Sequence, residues 1–254
     1  MKKTIIILLI LLPSLCFAGL QEKQCAVIAK KNAVVACTDA NPVGNCTGFL
    51  ICQNFEQTVE ACDPCAEDNS ESWDKTLGGD TTANVDYGTA LRGDESLLIT
   101  SVSNTAGIIA ATISGQDTIY GFFRFKTADG KPSNTNDILI LSDGSNSIGR
   151  VSQIATGKLR MYNGTTYVDS TTTLDDGASG TFYVWFYWTK GTGANGTMGI
   201  EVNTARTFGA WEAEDTDGTA TAQVTGIQAK DRYAGGVVFD QILMKTSAIG
   251  TVCE

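Results

Sequence analysis

The sequence predicts an all-β protein: an antiparallel two-sheet jelly-roll sandwich, preceded by a small cysteine-rich segment. Three observations carry this. From about residue 54 onward Ser, Thr and Gly dominate, Pro is rare, and no long 3.6-residue hydrophobic period occurs. Short runs of alternating apolar and polar residues recur between turn residues, the pattern of half-buried strands. No block repeats at a fixed period, which disfavours a propeller or a solenoid.

The chain opens on a targeting segment, residues 1–18. Met1-Lys2-Lys3 is a short basic region, Ile5 to Leu12 is an unbroken apolar run, and Pro13-Ser14 follows. Cys16-Phe17-Ala18 places small residues three positions and one position before a cleavage point at Gly19. About 20 apolar residues are needed to cross a bilayer, so this run reads as a cleaved secretory signal and not as a span. Lipidation at Cys16 is the rival reading, and the bulky Leu15 argues against it. The expectation is a secreted protein, extracellular or periplasmic, with no transmembrane span after processing.

Residues 19–53 form the cysteine-rich segment. With Cys16 removed, seven cysteines are left: Cys25, Cys37, Cys46, Cys52, Cys62, Cys65 and Cys253. In an oxidising compartment such a cluster reads as a disulfide framework. Seven is odd, so one thiol stays free or pairs between chains. Cys62-Asp63-Pro64-Cys65 has the spacing of a redox or zinc motif, but no βαβ pattern surrounds it, which favours a structural crosslink. Residues 26–36 can make one short helix, too small to bury much by itself.

The body, residues 54–254, reads as strands in order. Gly88 to Thr100 gives two short strands around Arg92-Gly93-Asp94-Glu95, a turn despite its match to an integrin-binding tripeptide. Thr118 to Thr127 (TIYGFFRFKT) is a strong strand, and Ile138–Leu141 a short buried one stopped by Ser142-Asp143-Gly144. Lys158–Tyr162 and Thr165–Val168 flank Asn163-Gly164, read as a two-residue hairpin turn. Thr181 to Thr189 (TFYVWFYWT) is the most aromatic strand; Met198–Asn203 and Gly236–Lys245 complete the set. The terminal strands are expected side by side, with Cys253 close to the N-terminal cysteines.

Two composition facts limit the function. The net charge is −10 at pH 7, more negative once Lys2 and Lys3 leave, so phosphate backbones are repelled and nucleic acid is not an expected partner. The chain has no histidine, which excludes Ser-His-Asp and Cys-His nucleophile systems, HExxH zinc sites and histidine acid–base chemistry.

A strand alternates its side chains between two faces. On Thr181–Thr189, Phe182, Val184, Phe186 and Trp188 share one face; Tyr183, Trp185 and Tyr187 share the other. On Thr118–Thr127, Ile119, Gly121, Phe123 and Phe125 oppose Tyr120, Phe122, Arg124 and Lys126. If the first set of each strand fills the core, Tyr120, Phe122, Arg124, Tyr183, Trp185 and Tyr187 form a face on which a sugar ring can stack, with Arg124 for a hydroxyl or carboxylate. The alternative is that these aromatics pack against a covering loop or the cysteine-rich segment. The acidic run Glu212-Ala213-Glu214-Asp215-Thr216-Asp217-Gly218 fails as an EF-hand, with Ala213 at the first ligand position and Val224 at the last, and reads as a solvated loop.

The order of segments resembles the concanavalin A-like lectin/glucanase superfamily, in its laminin-G-like branch, over about residues 54–250. Asn54-Phe55-Glu56 and Trp73 open the body, and Tyr87-Gly88-Thr89-Ala90-Leu91 with Ser96-Leu97-Leu98-Ile99 looks like the early strand pair. Tyr120–Phe125, Gly157–Met161, Gly180–Trp185 and Phe239-Asp240-Gln241-Ile242-Leu243-Met244 follow in the family's order. The resemblance implies a jelly roll and a structural calcium bridging the first and last strands, where Glu56 and Asp240 fall. It does not fix an activity, because one fold carries many functions. The family's laminarinase pattern, E-x-D-x-x-E on a strand, has its nearest match at Glu212-Ala213-Glu214-Asp215, inside the hydrophilic run. The strand histidine of alginate-lyase relatives is missing. The expected function is therefore non-catalytic carbohydrate binding, lectin-like. The alternatives are a glycoside hydrolase or polysaccharide lyase using carboxylates or a tyrosine, and a structural or adhesive surface component.

Overall fold

The computed structural model describes residues 49–53, 82–86, 96–100, 107–127, 132, 134–174, 181–231, 236–250 and 252. In chain order the strands are β1 (Ile51–Gln53), β2 (Thr82–Asp86), β3 (Ser96–Thr100), β4 (Gly107–Gln116), β5 (Thr118–Thr127), β6 (Asn136–Ser142) and β7 (Ser147–Gln153). They continue with β8 (Lys158–Asn163), β9 (Thr166–Thr173), β10 (Phe182–Thr189), β11 (Gly196–Asn203), β12 (Ala213–Gly218), β13 (Val224–Asp231) and β14 (Val237–Lys245). The described residues contain no helix.

Two antiparallel sheets face each other. The eight-stranded sheet runs β12-β11-β10-β5-β14-β3-β2, with β1 also paired to β14; the six-stranded sheet runs β4-β13-β6-β7-β8-β9. The terminal strands β1 and β14 lie side by side, Cys52 opposite Leu243. Among the described residues the first paired strand starts at Ile51. The signal segment, the short helix over 26–36, Glu56 and all candidate disulfide cysteines except Cys52 lie outside the described residues.

The core sits between the sheets and follows the strand parity read from the sequence. Ile119, Phe123 and Phe125 of β5 and Phe182, Val184, Phe186 and Trp188 of β10 point inward, where Leu139, Leu141, Val151, Leu159, Met161 and Ile227 of the other sheet meet them. Gly121 stands opposite Phe186, and a Cβ there would lie 2.1 Å from the ring, so only glycine lets that ring occupy the centre. Each such buried side chain contributes about 1.5–3 kcal/mol relative to exposure.

Three sequence expectations shift. The acidic run is not a loop: Ala213–Gly218 is β12, paired to β11 with Glu214 opposite Gly199 and Asp215 opposite Met198. It is the sheet's outermost strand, and a charged edge resists pairing with other chains. The hairpin turn also moves by one residue. Asn163 pairs with Thr166, leaving Gly164-Thr165 as the loop, with Gly164 at φ 65° and no positive φ at Thr165, the type II′ pattern. Asn163 is instead buried, donating from Nδ2 to the carbonyls of Thr189 (2.9 Å) and Thr197 (3.1 Å) and accepting from Ala220 N at 3.2 Å. It pins the six-stranded sheet to β10 and β11. Finally, β14 carries a bulge between Asp240 and Leu243, with Gln241 at φ 56°. The extra residue re-phases the strand, so that Asp240, Leu243 and Lys245 all share the outer face.

Candidate functional site

Strands β5 and β10 are antiparallel neighbours, and their register pairs the six predicted face residues with one another. Tyr187 stands opposite Tyr120, Trp185 opposite Phe122, and Tyr183 opposite Arg124. Flanking strands extend these pairs into three rows across the outer face of the eight-stranded sheet. The first row is Asp240, Arg124, Tyr183 and Asn203; the second is Leu243, Phe122, Trp185 and Glu201; the third is Lys245, Tyr120, Tyr187, Gly199 and Glu214.

The second row is covered by the chain itself. Phe122, Trp185, Leu243, Ile249 and Val252 form a second buried cluster, with Phe49, Tyr120, Tyr183, Phe208 and Trp211 packed against it. Trp185 is 1% exposed and donates from Nε1 to the Gly250 carbonyl at 3.2 Å. Its ring centroid lies 5.0 Å from Phe122 and 6.1 Å from Phe208. Of the six predicted residues, Phe122, Arg124 and Trp185 are buried, whereas Tyr120, Tyr183 and Tyr187 are half-buried. Arg124 sits over the Tyr183 ring at 5.3 Å and stands opposite Asp240, also buried.

The third row is the open end. Tyr120 and Tyr187 lie 5.8 Å apart, and Trp211 meets the Tyr187 ring edge-on at 4.8 Å, with Phe208 4.8 Å behind it. The Tyr187 hydroxyl donates to Glu214 Oε1 at 2.9 Å. Gly199 makes that reach possible, since a Cβ there would lie 2.3 Å from the Tyr187 ring. Burial, then the Glu214 carboxylate, pushes the Tyr187 phenol well above its ordinary range, so it stays protonated as a donor. Lys245 closes the other end of the row, its ammonium 5.2 Å from the Phe49 ring.

Sequence reading missed Phe208, Trp211 and Glu201, and set Glu214 aside as part of a solvated loop. Alternation along Met198–Asn203 puts Glu201 on the outer face and is the one signal that would have found it. Glu201 is buried beside Trp185; its carboxylate accepts from Gly209 N at 2.9 and 3.2 Å and so holds the turn that carries Phe208. Burial raises its carboxyl above the usual range. Glu212 goes elsewhere: it accepts from Thr171 N, Thr172 N and the Thr172 hydroxyl, joining the edges of the two sheets. Glu212 and Glu214 therefore do not face one another as a carboxylate pair.

For a calcium ion, Asp240 supplies one buried carboxylate, but its register partner is the cationic Arg124. Glu56 lies outside the described residues, and among the described residues no group of three His, Cys, Asp or Glu could hold a metal. The described donors alone do not make the six to eight oxygens that calcium takes.

No family model and no curated protein matches the chain. Solved structures do. An endo-β-1,4-glucuronan lyase from the fungus Trichoderma reesei aligns at 12% identity and TM-score 0.53, over 70% of this chain and 92% of the lyase. The cellulose induced protein Cip1 aligns at 14% identity and TM-score 0.54, over 74% of this chain and 95% of Cip1. The binding domain of botulinum neurotoxin DC, solved in complex with SialylT, aligns at 11% identity and TM-score 0.52, over 80% of this chain and 49% of that one. The fold is the concanavalin A-like jelly roll. At these identities the likeness shows the fold alone. Among the described residues no helix is long and apolar enough to cross a membrane.

Proposed function

We propose that this protein is an exported, non-catalytic carbohydrate-binding protein that takes its ligand at the open end of the aromatic face. The observation that carries the reading is the third row. Tyr120, Tyr187 and Trp211 form a half-exposed aromatic strip with Lys245 at one end and Glu214 at the other. A pyranose offers an apolar C–H face to aromatic rings and hydroxyls to flanking charges, and this strip has both. The buried second row is its rigid floor, so the rings are held in place before a ligand arrives, which lowers the ordering cost of binding.

The enzyme alternative draws support from the glucuronan lyase likeness in fold. Against it, a tyrosine base needs a depressed pKa, and Tyr187 is shifted upward. Glu201, the carboxyl raised by burial, is enclosed and engaged with Gly209. An array of neutral and uronate-containing glycans, followed by a reducing-end assay on whichever glycan binds, separates the readings. Binding without release of ends supports the lectin-like reading, and new reducing ends contradict it.

A further inference from the structure

The opposite side of the sandwich carries a second constellation, on the outer face of the six-stranded sheet. Register sets Arg150 of β7 opposite Tyr162 of β8, and Tyr162 opposite Tyr167 of β9. The three lie in one row, two strand spacings or about 10 Å long. Tyr167 is 49% exposed, the one large hydrophobic among the described residues that is open to solvent. One side of its ring rests on the Arg160 guanidinium at 3.8 Å. Arg160 is fully occupied in that role, since Nε and Nη2 donate to the two oxygens of Asp169 at 2.5 and 2.9 Å. It acts as a prop that, with the Tyr162 ring 5.6 Å away, fixes the tyrosine ring while about half of that side chain stays open to solvent.

Arg150 is differently placed. Its guanidinium stacks over Tyr162 at 4.0 Å, and its side chain is 36% exposed. Among the described residues its one ion-pair partner is Asp137, 3.7 Å from Nε and beyond hydrogen-bonding distance, while the Arg160 guanidinium shares the Tyr162 ring at 5.8 Å. That carboxylate already accepts from the Ser152 hydroxyl at 2.6 Å. Nε is buried without a hydrogen bond, whereas the terminal Nη atoms reach solvent without a protein acceptor. Arg150 is thus a stacked, pre-oriented fork with its carboxylate-binding edge unused, in a chain whose net charge is −10.

We infer that this row is a second binding site, for a carboxylate-bearing sugar: Arg150 takes the carboxylate in a bidentate pair, and the exposed part of the Tyr167 ring packs against the adjoining sugar ring. This does not rest on the site proposed above, which lies on the other sheet and lacks a free arginine fork.

The test is calorimetric titration of the mature protein with trigalacturonate, with sialyllactose, and with galactotriose as the neutral counterpart. An acidic probe binds in a mode that depends on Arg150, whereas any binding of galactotriose, which belongs to the third row, is the same in Arg150→Gln; which acidic probe binds tells an internal uronate from a terminal sialic acid. Arg150→Gln weakens that binding roughly tenfold to a hundredfold, the worth of a charge-assisted pair. Tyr167→Ala weakens it too, both variants melt as the parent does, and Thr112→Ala, exposed on β4 at the far edge of the same sheet, changes nothing. Failure of both acidic probes, full affinity for them in Arg150→Gln, galactotriose binding that Arg150→Gln weakens as much, or loss of binding in Thr112→Ala overturns the assignment.

Discussion

Replacing Trp185 by alanine separates a floor from a contact surface. The indole is 1% exposed and packs among Phe122, Phe208, Leu243, Ile249 and Val252, and its Nε1 holds the Gly250 carbonyl at 3.2 Å. Truncating a fully buried Trp costs about 3–5 kcal/mol through lost transfer energy and the cavity left behind. The lost hydrogen bond adds about 1 kcal/mol, softened because the 246–250 segment can turn its carbonyl to water. For a domain of this size each kcal/mol moves Tm by about 2–4 °C, so a loss of about 4 kcal/mol lowers Tm by roughly 8–16 °C. Thermal and urea unfolding of parent and variant, followed by circular dichroism, read this directly. Tyr167→Ala, at an exposed position, should stay within about 0.5 kcal/mol and serves as the control. A Trp185→Ala protein that unfolds within 1 kcal/mol of the parent would refute the covered floor and return Trp185 to the open surface.

Two further outcomes test the electrostatics. Burial raises the Glu201 carboxyl, so its contribution favours the folded state below the unfolded carboxylate pKa and is lost as pH rises through the folded value. Glu201→Gln keeps an acceptor for Gly209 N and removes the charge; its stability relative to the parent should climb with pH above about 4.3, and a pH-independent difference in urea melts would contradict this. The calcium proposal at Glu56 and Asp240 is checked by melting with and without millimolar calcium. A bound ion at a hundredfold excess over its Kd adds about 2.7 kcal/mol, Asp240→Asn should abolish the rise in Tm, and superimposable parent curves would dismiss the site.

Period-two alternation made the two central strands legible residue by residue. The run TFYVWFYWT puts Phe186 and Tyr187 on opposite faces without saying which is inward, and the structure seats Phe186 in the core and Tyr187 outside. The sequence also offered both fates for the outer aromatics, an open face or a covered one, and local pattern had no means to choose. The choice is made by Phe208 and Trp211 and by Ile249 and Val252, which follow β11 and β14 in the chain and reach this face only through tertiary packing. β12 was hidden because an edge strand shielded by charge has the composition of a loop. The bulge at Gln241 was hidden because it breaks the parity on which strand reading depends, and it is the bulge that brings Leu243 and Lys245 onto the face of the site. Asn163 had the spelling of a turn residue and serves instead as a buried pin between the sheets.

The most direct test of carbohydrate binding at the third row is a fluorescence titration of the protein with the neutral oligosaccharide selected on the array, beside Trp211→Ala. Trp211 is half-exposed and lies 4.8 Å from Tyr187, so a ring stacked on the strip perturbs its emission. The parent should bind saturably, and a Trp211→Ala protein of near-parent stability should lose roughly tenfold or more in affinity. A variant that binds every neutral glycan as the parent does, or a parent that binds none, contradicts binding at the third row.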